Sequence, residues 1–273
     1  MVGDFGCGQT THAGGVTDRA VGCYHEVVSM ETRLTTRAWD RAMRMLRAYH
    51  SYEVVGLSAF PRSGPVLVAS THSLATYENF LLGSVALDVL GRRPIILADD
   101  LLFKLPVVGD AMRDIGVWPG KREAAIEILN SGGLLGLGPG GMREALRPST
   151  RRYTFDWDGR LGFVWIALLT GAPIVLAACP AADDIFDVVD LQLTADFYKR
   201  HHFPLPLFRG VGPTLIPRPV KLWHVFEAPI ISEIDPSEVT EAHVIEHHAY
   251  LCERMHDLMQ RAVELSGLTP PQG

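Results

Sequence analysis

Apolar side chains recur at helical spacing near the start of the interpretable sequence. Leu34, Trp39, Met43, Leu46 and Tyr49 fall near one face while arginines fill much of the rest, which predicts an amphipathic helix over 33–50. Such a face either packs on its own domain or rests on an anionic membrane surface. The pattern then changes to short β-branched runs. "YEVVGL" (52–57) and "PVLVAS" (65–70) read as strands joined by the turn "SAFPRSG". A helix over 76–90 follows, then "RPIILAD" as a strand and "LFKLPVVGDAMRDIG" as loop and helix. "VWPG" reads as a strand end, "KREAAIEILNSG" as a helix and "GLLGLGPGG" as strand and loop. Strands alternating with helices predict an α/β fold: one domain with a mostly parallel, mixed central sheet flanked by helices and an N-terminal amphipathic helix, its reactive groups at strand ends.

The longest uncharged run, 161–182, has the length of a membrane span. Gly171, Ala172 and Pro173 interrupt it, so it reads instead as a buried helix over 161–169 and a strand over 174–178. Residues 200–220 are rich in proline and lack periodicity, which predicts a loop folded over the core. A final helix is expected over 236–266, capped by Asp235 with Pro236 next to it. Apolar side chains in 100–108 and at Phe203, Leu205, Leu207 and Phe208 are candidates for an interface with lipid or for core packing.

Composition narrows the function more than the fold. A net charge of −6 provides no general basic surface for phosphate, which argues against a nucleic-acid partner. Local clusters at Lys121 and Arg122, and at Arg147, Arg151 and Arg152, read first as solvated faces and second as contacts for phosphate groups of a ligand or lipid. The four cysteines are widely separated, without C-x-x-C spacing, as expected of a reducing compartment. Residues 1–30 lack a signal-peptide pattern and read as a disordered leader.

The chemically distinctive stretch is "VLVASTHSLATYENFLLG", residues 66–83. His72 stands where a strand ends, and a histidine there is able to take a proton at neutral pH. Glu78 would fix its tautomer and stabilise the imidazolium. On one continuous helix, six residues turn through about 600° and leave the two side chains about 120° apart. The pair therefore requires His72 in the turn before the helix. Taken alone, H-x5-E is better read as a histidine that caps the helix or satisfies a buried carbonyl, with Glu78 simply exposed. A second block, "GLGPGGMREAL", adds to it: Gly138, Gly140 and Gly141 allow close backbone approach to a ligand, and Arg143 is able to fork onto a carboxylate or phosphate. A dinucleotide site is disfavoured, because the G-x-G-x-x-G register is missing and Pro139 lacks an N–H.

In order and spacing, "YEVVGL", "GPVLVASTHSLATYE", "FKLPVVGDAMRDIGVWPGKREAAIEIL", "GLGPGGMREAL" and "GAPIVLAAC" resemble the glycerolipid (lysophospholipid) acyltransferase superfamily, over about residues 45–235. They look most like its neutral-lipid branch, with relatives of diacylglycerol acyltransferase type 2 and phytyl ester synthases. The resemblance implies an acyltransferase domain over 31–268, followed by a tail at 269–273. It further implies transfer from an acyl thioester, acyl-CoA or acyl-carrier protein, to a lipid hydroxyl, with His72 as base, Glu78 orienting it, and Gly140, Gly141 and Arg143 at the substrate. No metal or redox cofactor is implied, and peripheral contact with the cytoplasmic face of a membrane is. The superfamily's His-x4-Asp has Tyr77 in place of Asp, whereas the neutral-lipid branch carries its acid one position later, where Glu78 stands. The Pro-Glu-Gly-Thr-Arg-Ser block reads Pro139-Gly140-Gly141-Met142-Arg143-Glu144, which keeps the arginine and loses the Glu and Thr. That departure favours a neutral acceptor such as mono- or diacylglycerol over lysophosphatidic acid.

Three rivals are distinguishable. His243, Glu246 and His247 match the H-x-x-E-H pattern of inverted zinc peptidases, although little chain follows to supply a further ligand. An α/β-hydrolase would need G-x-S-x-G, which the chain lacks. A catalytically inactive lipid-binding protein on the same fold would bind acyl thioesters without releasing thiol.

Overall fold

The computed structural model describes residues 34–100, 103, 108–189 and 207–269. The leader at 1–30, Phe203 and Leu205, and most of 100–108 lie outside them. The described chain runs α1 (Leu34–Tyr49), β1 (Glu53–Val55), β2 (Val66–Ser70), α2 (Tyr77–Leu90), β3 (Ile95–Ala98), α3 (Val108–Asp114), β4 (Val117–Pro119), α4 (Arg122–Asn130) and β5 (Leu134–Leu137). It continues with α5 (Gly141–Ala145), α6 (Gly162–Thr170), β6 (Ile174–Ala178), β7 (Asp187–Val188), β8 (Phe208–Arg209), β9 (Trp223–Phe226) and α7 (Glu241–Leu265). Seven strands form one sheet in the order β1-β9-β6-β2-β5-β3-β4. The block from β6 to β4 is parallel, whereas β9 runs antiparallel to β6 and β1 parallel to β9, giving the mixed sheet expected.

Both faces of the sheet are covered because both parities of its central strands are apolar. Leu67, Ala69, Leu135, Leu176 and Ala178 face a core completed by Ile128 and Leu129 of α4, Val164 and Leu168 of α6, and Leu251, Met255 and Leu258 of α7. The alternate residues Val66, Val68, Leu134, Val175 and Ala177 face Phe60, Phe226, and Leu82 and Ala86 of α2. Burying each such Val, Leu or Ile contributes about 1.5–3 kcal/mol, so β2 is anchored from both sides before any polar contact is counted.

The helix α1 packs on its own domain through Met43, with Trp39 and Leu46 against Leu81, Cys179 and Ile185. Arg44 and Arg47 both reach Asp88 of α2 at 2.7 Å. The run 161–182 divides into α6 and β6 as its glycine and proline predict, and no helix among the described residues is long and apolar enough to cross a membrane. Two expectations change. The 200–220 segment is not wholly irregular, since β8 pairs antiparallel with β7. Asp235 does cap, but it caps a single 3-10 turn at Pro236–Glu238, and α7 starts afresh behind Thr240. Thr240 and His243 bond reciprocally there, which gives the new start its own cap.

Candidate active site

Sheet register builds the site. Ala69 of β2 lies opposite Leu137 of β5, and Ser70 of β2 opposite Ala177 of β6. Because the three strands are parallel, their following residues emerge side by side at one edge: His72 after β2, Gly138 after β5, and the turn Pro180–Asp184 after β6. Open α/β sheets place reactive groups at such strand ends.

His72 is only 6% exposed. Its ring lies against Gly138, where an added Cβ would come within 2.1 Å of Cδ2. Burial, aided by the charge of Arg147 and opposed by backbone groups at Ser73 and Gly141, lowers the ring's pKa to about 4. The imidazole is therefore neutral near pH 7, and its buried Nδ1 has no hydrogen-bond partner.

Glu78 does not hold the ring. Its Oε1 accepts the Ser73 N–H at 2.8 Å, and its Oε2 accepts the Ser73 hydroxyl at 2.5 Å. This corrects the expected contact, and the local chain explains it. A 3-10 turn spans Leu74–Thr76, Thr76 sits at φ +57°, and α2 begins at Tyr77, so Glu78 lies in the helix's first turn with its carboxylate folded back over the preceding N–H. His72 does stand before the helix, as required. Asn79 adds a bond from its amide to the Thr71 carbonyl at 3.3 Å. Burial raises the Glu78 pKa to about 7, with the Ser73 hydrogen bonds opposing.

The glycine block divides by role. Gly141 has φ +60°, which an L side chain rarely adopts. Its N–H is engaged by the Gly138 carbonyl at 3.1 Å. Gly140 has ordinary helical angles, φ −66° and ψ −18°, so space rather than backbone freedom demands glycine there. A Cβ at Gly140 would lie 2.0 Å from Oε2 of Glu144. Arg143 points outward, with its side chain 54% exposed and paired to Asp156 at 3.1 Å.

Three functional candidates escaped the sequence reading. Glu144, 1% exposed, accepts the His72 N–H at 2.8 Å and the Asp156 N–H at 3.2 Å. Arg147 is not part of a solvated face: its side chain is only 9% exposed, forks onto Asp183 at 2.6 and 2.7 Å, and donates to the His72 carbonyl at 3.3 Å. Burial raises Glu144 to about 7 and raises Asp183, with Arg147 opposing in both cases. Leu74, Glu144, Arg147, Ser149, Asp183 and Phe186 line a cleft beside this network. The available signal was positional: an ionisable side chain follows each of three adjacent buried strands.

No group of three metal-ligating side chains occurs among the described residues. In the H-x-x-E-H segment, His243 caps α7. Its neighbour His248 places Nε2 3.0 Å from the Trp157 carbonyl oxygen.

Residues 51–179 match the Acyltransferase family model. The chain spans about half the length of several curated relatives it matches. It covers 53% of an uncharacterized protein from Mycobacterium tuberculosis, at 34% identity over 190 residues, or 67% of this chain. A protein of Bos taurus named "DGAT1/2-independent enzyme synthesizing storage lipids" is 28% identical over 236 residues, 83% of this chain and 65% of the relative. Its Homo sapiens counterpart is 32% identical over 145 residues, 50% of this chain and 44% of the relative. Among solved structures, the 1-acyl-sn-glycerophosphate (LPA) acyltransferase PlsC from Thermotoga maritima shares the fold with a TM-score of 0.53 and 15% identity, over 91% of this chain and 90% of that one. Family match and named relatives agree with the histidine and glycine blocks in supporting the glycerolipid acyltransferase superfamily, and the PlsC likeness shows a shared fold.

Proposed function

We propose that this protein is an O-acyltransferase that moves a fatty acyl group from a thioester, acyl-CoA or acyl-carrier protein, to the hydroxyl of a neutral lipid alcohol such as mono- or diacylglycerol. One observation carries the reading: a buried, neutral imidazole with an unpartnered nitrogen at the end of the central strand, its ring against a glycine turn. An alcohol is a weak nucleophile at neutral pH, and a positioned base contributes about 10²–10⁴-fold. His72 takes the hydroxyl proton as the oxygen attacks the thioester carbonyl. The C–O bond forms, the C–S bond breaks, and the proton passes from the imidazolium to the departing thiolate, leaving ester and thiol. The balance needs no metal or redox cofactor.

Burial keeps His72 unprotonated and ready. Glu78 acts through the backbone, holding Ser73 and so the peptide that follows His72. Arg143, exposed at the rim of the glycine turn, is placed for the donor's phosphates or the acceptor's head group, at the cost of its pairing with Asp156. The neutral acceptor is supported by the loss of the motif's Glu at Gly140 and by the printed name of the Bos taurus relative. Lipid substrates call for peripheral contact with a membrane, on the cytoplasmic face in this reading. Met45, Leu215 and Ile216 are exposed large apolar side chains, and Tyr49 of α1 joins the segment carrying two of them by donating to the Pro217 carbonyl.

The test is competition. Purified protein is given acyl-CoA with monoacylglycerol and lysophosphatidic acid together in vesicles, and products and free thiol are measured. Acylated neutral lipid in excess, with protein sedimenting with the vesicles, is the expected result. Preferential acylation of lysophosphatidic acid would overturn the acceptor, turnover without vesicle binding the membrane contact, and lipid binding without thiol release the enzymatic reading itself.

A further inference from the structure

We propose that Glu144 and Arg147 are positioning residues that grip the peptide units of His72 from both sides, and that Gly140 is glycine so that the Glu144 carboxylate has a seat. The inference rests on the reading of His72 as the base. Glu144 takes the His72 N–H at 2.8 Å, and Arg147, three residues later and just past the end of α5, donates to the His72 carbonyl at 3.3 Å. The two side chains also face each other at 3.8 Å, and Arg147 is tied to the strand end beyond through Asp183. The loop after β2 is thus fixed to the turns after β5 and β6 by side chains, where the sheet's own hydrogen bonds have run out.

The grip is closely matched to the glycine turn. Glu144 Oε2 would lie 2.0 Å from a Cβ at Gly140, and its Cβ only 2.6 Å away. Since Gly140 has angles any residue adopts, the missing side chain reflects space, taken first by the Glu144 side chain and then by the Asp156 carbonyl oxygen at 2.8 Å. The ring of His72 takes the corresponding space at Gly138. Each end of the turn therefore records one half of the arrangement, the ring at Gly138 and the acid that holds its backbone at Gly140. A base displaced by even about 1 Å from its productive position costs on the order of 100-fold in rate, so such a grip is expected to act on turnover rather than on substrate affinity.

The experiment compares Glu144→Ala, Glu144→Gln and Gly140→Ala with His72→Ala, as full chains, using acyl-CoA and monoacylglycerol, after thermal melts establish which variants are folded at the assay temperature. Glu144→Ala is expected to lower kcat about 100-fold. Its KM values for donor and acceptor should stay within about twofold, the mark of an interaction that acts at the transition state. Gly140→Ala, whose Cβ would displace the Glu144 carboxylate and press on the Asp156 carbonyl while both Glu144 and His72 keep their identity, should reproduce that loss. Glu144→Gln retains an acceptor for the His72 N–H and should rescue most of the rate. If Glu144→Ala fails to fold, the contrast between Gly140→Ala and Glu144→Gln decides. Full kcat in Glu144→Ala or Gly140→Ala beside an inactive His72→Ala overturns the grip alone, as does a rise in KM at unchanged kcat. Wild-type turnover in His72→Ala removes the base itself and overturns both readings.

Discussion

Histidine and carboxylate stand close in sequence in two parts of this molecule, after β2 and on α7, and the two places behave differently. On α7, His243 closes a cap with Thr240 and His248 lies against the Trp157 carbonyl. His247, partly buried between them, lies near Tyr250. After β2 the backbone is tied down on both sides while Nδ1 of the ring lacks a partner. A helix surface thus uses imidazoles to satisfy its own ends and neighbours. A strand end in the parallel block of the sheet immobilises one and leaves its Nδ1 without a partner, a condition that calls for an explanation and that a reacting group would supply.

The contrast is most severely tested at Gly138. Gly138→Ala should displace the His72 ring, since its Cβ would lie 2.1 Å from Cδ2, and lower turnover about 100-fold in a folded protein. Wild-type turnover in this variant would show that the ring's seat is immaterial. A smaller effect concerns stability. Burial raises the Glu144 pKa from 4.5 to about 7, so the folded state holds this proton more tightly than the unfolded state does. The group's contribution is complete below pH 4.5 and is lost as pH rises through about 7. Glu144→Gln, which cannot titrate, should therefore gain stability relative to wild type across that window, by up to about 3 kcal/mol in denaturant titrations. A difference that stays flat with pH would contradict the raised pKa. The smallest effect belongs to α7: His247→Ala, or a chelator added to wild type, should leave turnover unchanged. A clear loss in either would restore the H-x-x-E-H segment as chemistry.

What the sequence disclosed followed physical range. The strands β2, β5 and β6 and the helix α2 were legible because alternating or unbroken apolar runs between glycines and prolines carry their own signal. His72 and the glycine block were legible as candidates because a histidine and clustered glycines directly after apolar strands break the local pattern. Glu78 was found as a residue but not in its contact, since the 3-10 turn and the positive φ of Thr76 re-aim it onto Ser73. The network of Glu144, Arg147 and Asp183 was missed because its members meet only when three strands align in register, and Arg147 read as one of several surface arginines. The false start of α7 has a similar cause. Asp235 with Pro236 is a sound capping signal, and nothing local indicates that the turn it caps stops after Glu238.

The central claim is that the His72 imidazole is the base for acyl transfer, and the most direct measurement is product formation by His72→Ala. Labelled acyl-CoA and monoacylglycerol are incubated with variant and wild type, and acylated lipid and released thiol are quantified beside circular dichroism spectra. The account predicts unchanged spectra with both products reduced by about 10²–10⁴-fold. Near wild-type yields of ester and thiol from the alanine variant would contradict it.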